Sequence, residues 1–389
     1  MIEKLKIKLF NFIDILFHIT PIDNKRIFFS SFHGQYNDNP KYISMELYKM
    51  RPDIKQVWVI SNKSQKNDLP PYIKTVHYNT FEYCFQKNRS KIIVENGAGD
   101  YIFNTRNRFS IKKCLKNKKQ FDLSTWHGNP IKQIGAQIPG INWSYETFHS
   151  TSDLMTCGCE YVKQIFQRAF LNKLNIQMLG TPRTDILFDK SEDKLHAIKN
   201  KLQLPFNKKV ILYAPTYRNN VFDSGIKQLE MMNLDLLFDS LHKRFGGEWV
   251  LVYRFHNMVL LSIDKNWLKK QRNILNGNQF DDMMEYMFAA DALITDYSGC
   301  IFDIMHTNKP CFLFAHDKEN YIKNERGSYI PLSDLPYDFA DSFESLISNI
   351  NNYNEESTQK KVETFQNKIG NMEDGHASER ICNLIVGSL

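Results

Sequence analysis

Short apolar runs alternate with helical patterns along the first half of the chain. Five runs have the length and composition of buried strands: 27–32, 56–60, 91–95, 123–126 and 154–157. Two longer segments have apolar residues at helical spacing: 40–50 and 160–170. Because strands that alternate with helices pair in parallel, this half predicts a parallel sheet covered by helices on both faces.

The same alternation starts again after a polar, proline-containing joint at 204–209. Four further runs predict strands: 210–214, 249–253, 292–295 and 311–315. Helical patterns lie between or after them: 233–245, 281–289, 300–307 and 341–351. A chain of 389 residues is too long for one core, since single cores stop growing at about 250–300 residues. The prediction is an α/β fold with two Rossmann-like domains at 23–204 and 205–370. A last helix is expected at 371–389, and it could pack on the first domain.

The first 22 residues have a different pattern. Six apolar side chains share one helical face: Leu5, Leu9, Phe12, Ile13, Leu16 and Phe17. Lys4 and Lys8 lie off that face, and they interrupt the segment too often for the apolar region of a signal peptide. We expect an amphipathic helix at 1–22 in a membrane interface, with a helix packed on its own domain as an equally weighted alternative.

The net charge of +7 suits phosphate ligands, nucleic acid or an anionic membrane surface, and does not choose among them. Residues 106–119 contain seven lysines and arginines and no acid, which indicates either a solvated face or a surface for anionic lipids. The candidate membrane-binding residues are Lys4, Lys8, Arg106, Arg108, Lys112, Lys113 and Lys116. The basic run and the amphipathic segment together favour a peripheral membrane protein. We expect it on the cytoplasmic face of the membrane and expect no nucleic-acid partner.

Seven scattered cysteines are typical of reduced thiols. Cys157 and Cys159 form the one close pair, and no second Cys or His pair follows at zinc spacing. An Asp-x-Asp motif is also missing from the sequence. We therefore expect no metal and no required cofactor.

Four predicted strands end in polar side chains that could do chemistry. These ends carry His127 with Gly128, then Pro215, Thr216 and Arg218, then Arg254 and His256, and finally Ser298 and Gly299, which precede Asp303. Because ligands of doubly wound sheets bind beyond the carboxyl ends of the strands, the four ends are expected to meet in one cleft.

Each end suits a different part of a phosphate-containing ligand. Strand alternation sends Arg254 and His256 to one face. Ser298 opens a helix whose free N–H groups and dipole can hold an anion. Gly128 lets the backbone approach a ligand closely, and His127 offers an imidazole that accepts a proton near neutral pH.

Several motifs together resemble the CDP-glycerol glycerophosphotransferase family of teichoic-acid and capsule synthesis. In chain order they are SSFHGQYNDNPKYI, WHGNPIKQIG, GTPRTDIL, YAPTYRNN, YRFH, LITDYSGCIFDIMHTNKPCFLF, ERGSY and MEDGHASERIC. The similarity spans about residues 27–385. It depends on the ordered set, since each motif alone is weak.

The resemblance implies a glycosyltransferase-B-like fold that moves glycerol phosphate from CDP-glycerol to a hydroxyl of a membrane-linked acceptor and releases CMP. The acceptor would be a polyprenyl-diphosphate-linked saccharide or a glycerol-phosphate end. His127 and His256 would be catalytic, with His127 as the general base. The resemblance assigns donor phosphates to Arg218, Arg254, Ser298 and Gly299, the nucleotide to Pro215, Thr216 and Asp303, and the acceptor side to Gly128 and Asn129.

Three positions depart from the family pattern. Asn129 stands where Thr is usual, Gly299 where a second Ser is usual, and Phe255 where Met is common. Ribitol-phosphate transferases share nearly all these motifs, so a CDP-ribitol donor remains an alternative. An ordinary nucleotide-sugar glycosyltransferase and a non-enzymatic membrane adaptor are more distant alternatives, and the adaptor leaves the polar strand ends unexplained.

Overall fold

Two parallel β-sheets form the framework of the protein, which confirms the predicted α/β class. The computed structural model describes residues 12, 16–32, 34–61, 69–78, 80–97, 117, 119–138, 152–170, 174–216, 226–255, 271–318 and 327–389. We call the part of the chain that carries the first sheet the first lobe, and the part that carries the second sheet the second lobe.

The first sheet contains seven strands in the order β3-β2-β1-β4-β5-β6-β7. They are β1 (Asp23–Ser30), β2 (Lys55–Val59), β3 (Ile73–Val76), β4 (Ser90–Glu95), β5 (Phe121–Ser124), β6 (Leu154–Cys157) and β7 (Ile176–Met178). All neighbouring pairs are parallel. Phe28 of the central strand lies opposite Val57 on one side and Ile93 on the other.

The second sheet contains six strands in the order β10-β9-β8-β11-β12-β13. They are β8 (Lys209–Tyr213), β9 (Trp249–Tyr253), β10 (Ile274–Asn276), β11 (Ala292–Thr295), β12 (Cys311–Phe314) and β13 (Phe339–Ala340). These pairs are parallel as well, so the carboxyl ends of all six strands lie along one edge.

Helices cover both sheets. They are α1 (Asp38–Met50), α2 (Phe81–Arg89), α3 (Glu160–Ala169), α4 (Glu192–Lys201), α5 (Ile226–Met231), α6 (Leu234–Phe245), α7 (Met283–Ala289), α8 (Cys300–Ile304), α9 (Phe343–Asn351), α10 (Glu355–Ile369) and α11 (Ala377–Gly387). Short 3₁₀ helices lie at Phe17–Ile19, Gly135–Gln137, Pro182–Phe188 and Leu332–Asp334.

Capping side chains set several of the helix boundaries. The Asn354 side chain accepts a hydrogen bond from the Ser357 N–H at 2.8 Å, which satisfies a free donor at the start of α10. The same helix ends at Gly370 with a left-handed φ of 62°, the conformation that glycine adopts without steric cost.

One hydrophobic core runs through both lobes. It joins Trp126 and Phe166 of the first lobe to Leu212 and Phe302 of the second. The two sheets are therefore held in a fixed relation by packing, and the ends of their strands face each other across a cleft.

The last helix of the chain packs on the first lobe. Ile381, Cys382 and Ile385 of α11 are buried in a core cluster that contains Ile27 and Ile43. The predicted domain limits remain predictions. Most of the predicted helix at 1–22 lies outside the described residues.

Candidate active site

A cleft of about 480 Å³ lies between the lobes. Its walls come from the segments that follow β5, β8, β9 and β11, together with residues from α7 and from the 3₁₀ helix Pro182–Phe188: the lining includes 126–132, 134, 183, 214–216, 254, 255, 283 and 297–300. The carboxyl ends of four parallel strands thus open into one space, where doubly wound folds bind their ligands.

Residues 126–130, which we call the base loop, turn sharply at the first-lobe side of the cleft. Trp126 has a φ of 52° and Gly128 a φ of 129°, both in the region that favours glycine. The Asn39 side chain of α1 donates to the carbonyls of Thr125 and Trp126 at 3.1 and 3.0 Å. This amide holds the loop in a conformation that a non-glycine residue rarely adopts.

The base loop places His127 in the cleft wall. Its Nδ1 lies 2.7 Å from the carbonyl oxygen of Asn96, which can only accept, so Nδ1 carries the proton. The ring stacks on Trp126 at 4.3 Å and meets the edge of Phe32 at 5.2 Å. Burial lowers the pKa of His127 below its ordinary value, with a smaller contribution from Arg183. A neutral imidazole with an unprotonated Nε2 has the form that a general base requires.

Arg183 lies directly beneath the base loop and was missed by the sequence analysis. Its Nη1 donates to Asp38 at 2.7 Å and to the His127 carbonyl at 2.8 Å. Its Nη2 donates to both carboxylate oxygens of Asp303, at 2.8 and 3.1 Å. Burial lowers the pKa of Arg183, but Asp303 and Asp38 raise it overall. The guanidinium is therefore a charged group at the boundary of the two lobes.

Asp303 faces Arg183 and is not among the residues that line the cleft. Its side chain is only 1% exposed, because the first turn of α8 points it into the lobe boundary. Burial raises the pKa of this carboxyl, and Arg183 opposes that shift. The predicted ribose contact stays a prediction, and in the described position both carboxylate oxygens already have a partner.

Arg254 lines the cleft, but its terminal nitrogens bind the protein backbone. Nη1 donates to the carbonyls of Gly277 and Phe280 at 2.5 and 2.7 Å, and Nη2 donates to Asp281 at 2.6 Å. Burial lowers the pKa of the guanidinium, and the side chain also lies over the Tyr286 ring. The contacts shown brace the turn after β10, while the predicted phosphate contact remains untested.

The other predicted residues that are described line the cleft. They are Gly128, Asn129, Pro215, Thr216, Ser298 and Gly299. Thr216 donates its N–H to Asp296 at 2.8 Å, and the Ser298 hydroxyl accepts from the Cys300 N–H at 3.3 Å. These contacts fix the two loops that follow β8 and β11.

Two departures from the family pattern touch each other. A Cβ built on Gly299 would lie 2.7 Å from the carbonyl oxygen of Asn129, closer than real Cβ atoms approach such an oxygen. The glycine therefore allows the base loop to rest directly on the start of α8.

Replacing Gly299 by Ala is expected to lower kcat roughly 10- to 100-fold, because the new methyl group must push the base loop away and small misplacements are costly. Steady-state kinetics with purified protein measure the effect. Gly387→Ala is the matched control, since a Cβ at Gly387 meets nothing within 4 Å. Equal activity of the two variants would show that this contact has no part in catalysis.

Several predicted residues lie outside the described part of the chain. They are Arg218 and His256 of the donor side, and Lys4, Lys8, Arg106, Arg108, Lys112, Lys113 and Lys116 of the membrane side. Within the described ranges, no group of three or more His, Cys, Asp and Glu side chains could hold a metal ion. The helices described here include none long and apolar enough to span a bilayer.

A family model described as CDP-glycerol:poly(glycerophosphate) glycerophosphotransferase matches residues 13–387. The teichoic acid poly(glycerol phosphate) polymerase of Staphylococcus epidermidis is 31% identical over 381 residues, which cover 93% of this chain and 50% of the relative. The chain thus spans about half the length of that relative. The teichoic acid glycerol-phosphate transferase of Staphylococcus aureus is 28% identical, with 94% of each chain covered.

Solved structures of a teichoic acid polymerase also resemble this chain over nearly its whole length. A histidine-to-alanine variant of the wall teichoic acid polymerase TagF superposes with a TM-score of 0.80 at 27% identity, covering 99% of this chain and 95% of that chain. A TagF variant soaked with CDPG also has a TM-score of 0.80, at 26% identity. The likeness extends over both lobes and the cleft between them.

Proposed function

Because this chain belongs to the CDP-glycerol:poly(glycerophosphate) glycerophosphotransferase family, we propose that it transfers glycerol phosphate from CDP-glycerol to a hydroxyl of a membrane-linked acceptor and releases CMP. The acceptor would bind the first lobe and the donor the second, in a glycosyltransferase-B-like arrangement. The relatives act in teichoic acid synthesis by name, and the proposal places this chain in the synthesis of such a polymer or of a capsule.

The hydrogen bond from His127 Nδ1 to the Asn96 carbonyl carries the mechanistic proposal. It leaves Nε2 to take the proton from the acceptor hydroxyl. The hydroxyl oxygen then bonds to the glycerol-bearing phosphorus, and the bond from that phosphorus to the CMP oxygen breaks. Catalysis would depend on positioning and on charge stabilisation around a transition state whose negative charge is spread over several oxygens.

The donor diphosphate is proposed to lie against Ser298 and Gly299, opposite the base loop. Both residues line the cleft, and the backbone at the start of α8 adds N–H donors. Arg218 and His256 would supply further positive charge, and Arg254 would support them from its braced position. These groups are the proposed counter-charges for the phosphates.

The nucleotide is proposed to bind Pro215 and Thr216, which follow β8 and line the cleft. The side chain of Asp303 is 1% exposed and does not line the cleft, so a ribose would reach it only after a rearrangement. We therefore assign nucleotide binding to the two residues after β8.

The family includes ribitol-phosphate enzymes, so the donor alcohol is the first quantity to measure. The teichoic acid poly(ribitol-phosphate) polymerase of Bacillus spizizenii is 28% identical over 401 residues, covering 99% of this chain. Radiolabelled CDP-glycerol and CDP-ribitol should be compared on one panel of synthetic undecaprenyl-type acceptors. Transfer from CDP-glycerol is expected to be faster. Transfer from CDP-ribitol alone would establish the alternative, and transfer from neither would refute the proposed function.

The membrane surface is proposed to include the N-terminal segment. Phe12, Leu16 and Ile19 are exposed, and Phe17 packs against Phe85 of α2, one turn from the exposed Phe81. This apolar edge, with the basic residues predicted beside it, would hold the protein at the cytoplasmic face of the membrane.

Deleting residues 1–20 is expected to release the protein from anionic vesicles in a sedimentation assay. Ile19→Glu alone should weaken binding roughly 10- to 100-fold, since burial of one large apolar side chain contributes about 1.5–3 kcal/mol. The control is Met231→Glu, because Met231 is a comparably exposed apolar residue of the second lobe. Unchanged binding of the deleted protein at low and high salt would contradict the membrane role.

A further inference from the structure

We propose that Arg183 is a positioning residue, which sets the separation between the base loop and the start of α8. The inference rests on the proposed role of His127 as general base and adds to it a residue that acts without touching the substrate. It also gives Asp303 a role, as the second-lobe anchor of the same guanidinium.

The guanidinium joins three separate parts of the chain. Through Nη1 it binds Asp38 of α1 and the carbonyl of His127, both in the first lobe. Through Nη2 it grips Asp303 of α8 in a bidentate contact. A planar fork of N–H donors can satisfy these directions together, which a lysine ammonium cannot do with the same geometry.

The backbone of Arg183 is fixed to the same first-lobe anchor as the base loop. Its N–H donates to Oδ1 of Asn39 at 3.0 Å, and the Nδ2 of that amide donates to the carbonyls of Thr125 and Trp126. The neighbouring Asp38 has a φ of 55°, in the left-handed region that few residues other than glycine adopt. The start of α1 therefore ties Arg183 and the base loop together before the guanidinium reaches the second lobe.

Close packing by the base loop restricts the position of the Arg183 guanidinium. A Cβ on Gly128 would lie 2.6 Å from Nη2 of Arg183, so the loop passes directly over the guanidinium. One residue further along the loop, the carbonyl of Asn129 lies against Gly299. The loop thus packs on both the cation and the start of α8, and a change in either is expected to move His127 relative to the proposed phosphate position.

Arg183 is suited to positioning because both of its terminal nitrogens already bind the protein. Its side chain is 8% exposed, and the side chains of its partners Asp38 and Asp303 are 9% and 1% exposed. The Nδ1 bond of His127 sets the rotation of the ring, but it does not set the distance between the lobes. The guanidinium supplies that second restraint.

A matched control exists in Lys41, another buried cation that joins the lobes. It binds Asp282 at 2.5 Å and Glu285 at 2.7 Å, and its side chain is 5% exposed. Within the described part of the chain, its hydrogen bonds and ring contacts are with Asp282, Glu285, Tyr36 and Tyr42, none of which belongs to the base loop. If weaker contact between the lobes were the only cause of a lower kcat, substitutions of Arg183 and of Lys41 should both lower it.

The first experiment compares Arg183→Gln, Arg183→Lys and Lys41→Met by steady-state kinetics with CDP-glycerol. Arg183→Gln should lower kcat roughly 100-fold with the donor KM within threefold, as expected for a misplaced catalytic group. Arg183→Lys should recover part of that loss, and Lys41→Met should keep kcat within fivefold at a temperature where it remains folded. Equal kcat losses in the glutamine and methionine variants, or an unchanged kcat in Arg183→Gln, would overturn the proposal.

The second experiment needs no turnover and so separates this proposal from the proposed function. Among the described residues, the charged groups that act on His127 are Asp38 and Arg183, and a nearby cation disfavours the imidazolium form. In NMR spectra of histidine-labelled protein, with the His127 signal identified by its absence in His127→Asn, Arg183→Gln should raise the His127 pKa and Lys41→Met should leave it in place. An unchanged His127 pKa in Arg183→Gln would overturn the proposal even if no CDP-alcohol is a substrate.

Discussion

Replacement of His127 by Ala is expected to lower the rate of glycerol-phosphate transfer by roughly two to four decades, the usual contribution of a general base. The acceptor hydroxyl would then lose its proton only to water. Because burial lowers the pKa of His127, the acid limb of the wild-type rate profile should lie below the ordinary histidine value of 6.5. The limb should vanish from the residual rate of the variant. Initial rates of both proteins should be measured over about four pH units, from pH 5 to pH 9. They show where the acid limb of the wild type lies and whether the variant lacks it.

His77→Ala is the matched control for this substitution. The Nδ1 of His77 also lies 2.7 Å from a backbone carbonyl, that of Ile60, but His77 does not line the cleft. Loss of a similar hydrogen bond outside the cleft should leave kcat within about threefold, because it removes no group that touches the reacting atoms. Near wild-type turnover by His127→Ala would remove the imidazole from the proposed role.

Replacement of Lys41 by Met is expected to lower the free energy of unfolding by about 3–5 kcal/mol, because it leaves the buried carboxylate of Asp282 without its cation. Glu285 keeps its ion pair with Lys201 at 2.9 Å. Asp282 is almost fully buried, and it also accepts a hydrogen bond from Tyr42 at 3.0 Å. Burial would raise the pKa of Asp282, but the contacts with Lys41 lower it overall. Urea unfolding followed by circular dichroism, together with the thermal midpoint, measures the loss.

Lys49→Met is the control for this variant, since Lys49 lies on the same helix. The Lys49 side chain is 68% exposed and forms an ion pair with Glu46. Such surface pairs contribute about 0–1 kcal/mol to the free energy of unfolding. A stability of Lys41→Met equal to that of Lys49→Met would mean that the buried pair does not hold the lobes together.

The centres of both sheets could be predicted from the sequence, but their edges could not. β1, β4, β8 and β11 are apolar runs because both of their faces are covered. The strands that no apolar run predicted are β3, β7, β10 and β13, which form the edges of the two sheets. Their residues are largely half-buried or exposed, so the pattern carries no continuous apolar signal there.

The position of the cleft followed from the polar residues at the strand ends, and the resemblance to the family is confirmed. The partners of those residues could not be predicted. Asp303 and Arg183 are 120 residues apart, and an ion pair of that separation leaves no periodic signal in one sequence. Nor does the sequence indicate that the terminal nitrogens of Arg254 bind backbone carbonyls of the turn after β10.

His127 is proposed to face the donor diphosphate across the cleft. The decisive measurement is a crystal structure of the His127→Ala variant with CDP-glycerol, compared with the wild type bound to CDP. We expect the diphosphate against Ser298 and Gly299, with Nε2 of the wild-type imidazole pointing at the space from which an acceptor oxygen would approach the glycerol-bearing phosphorus. A diphosphate bound away from α8, or an imidazole turned toward the interior, would show that His127 cannot be the base.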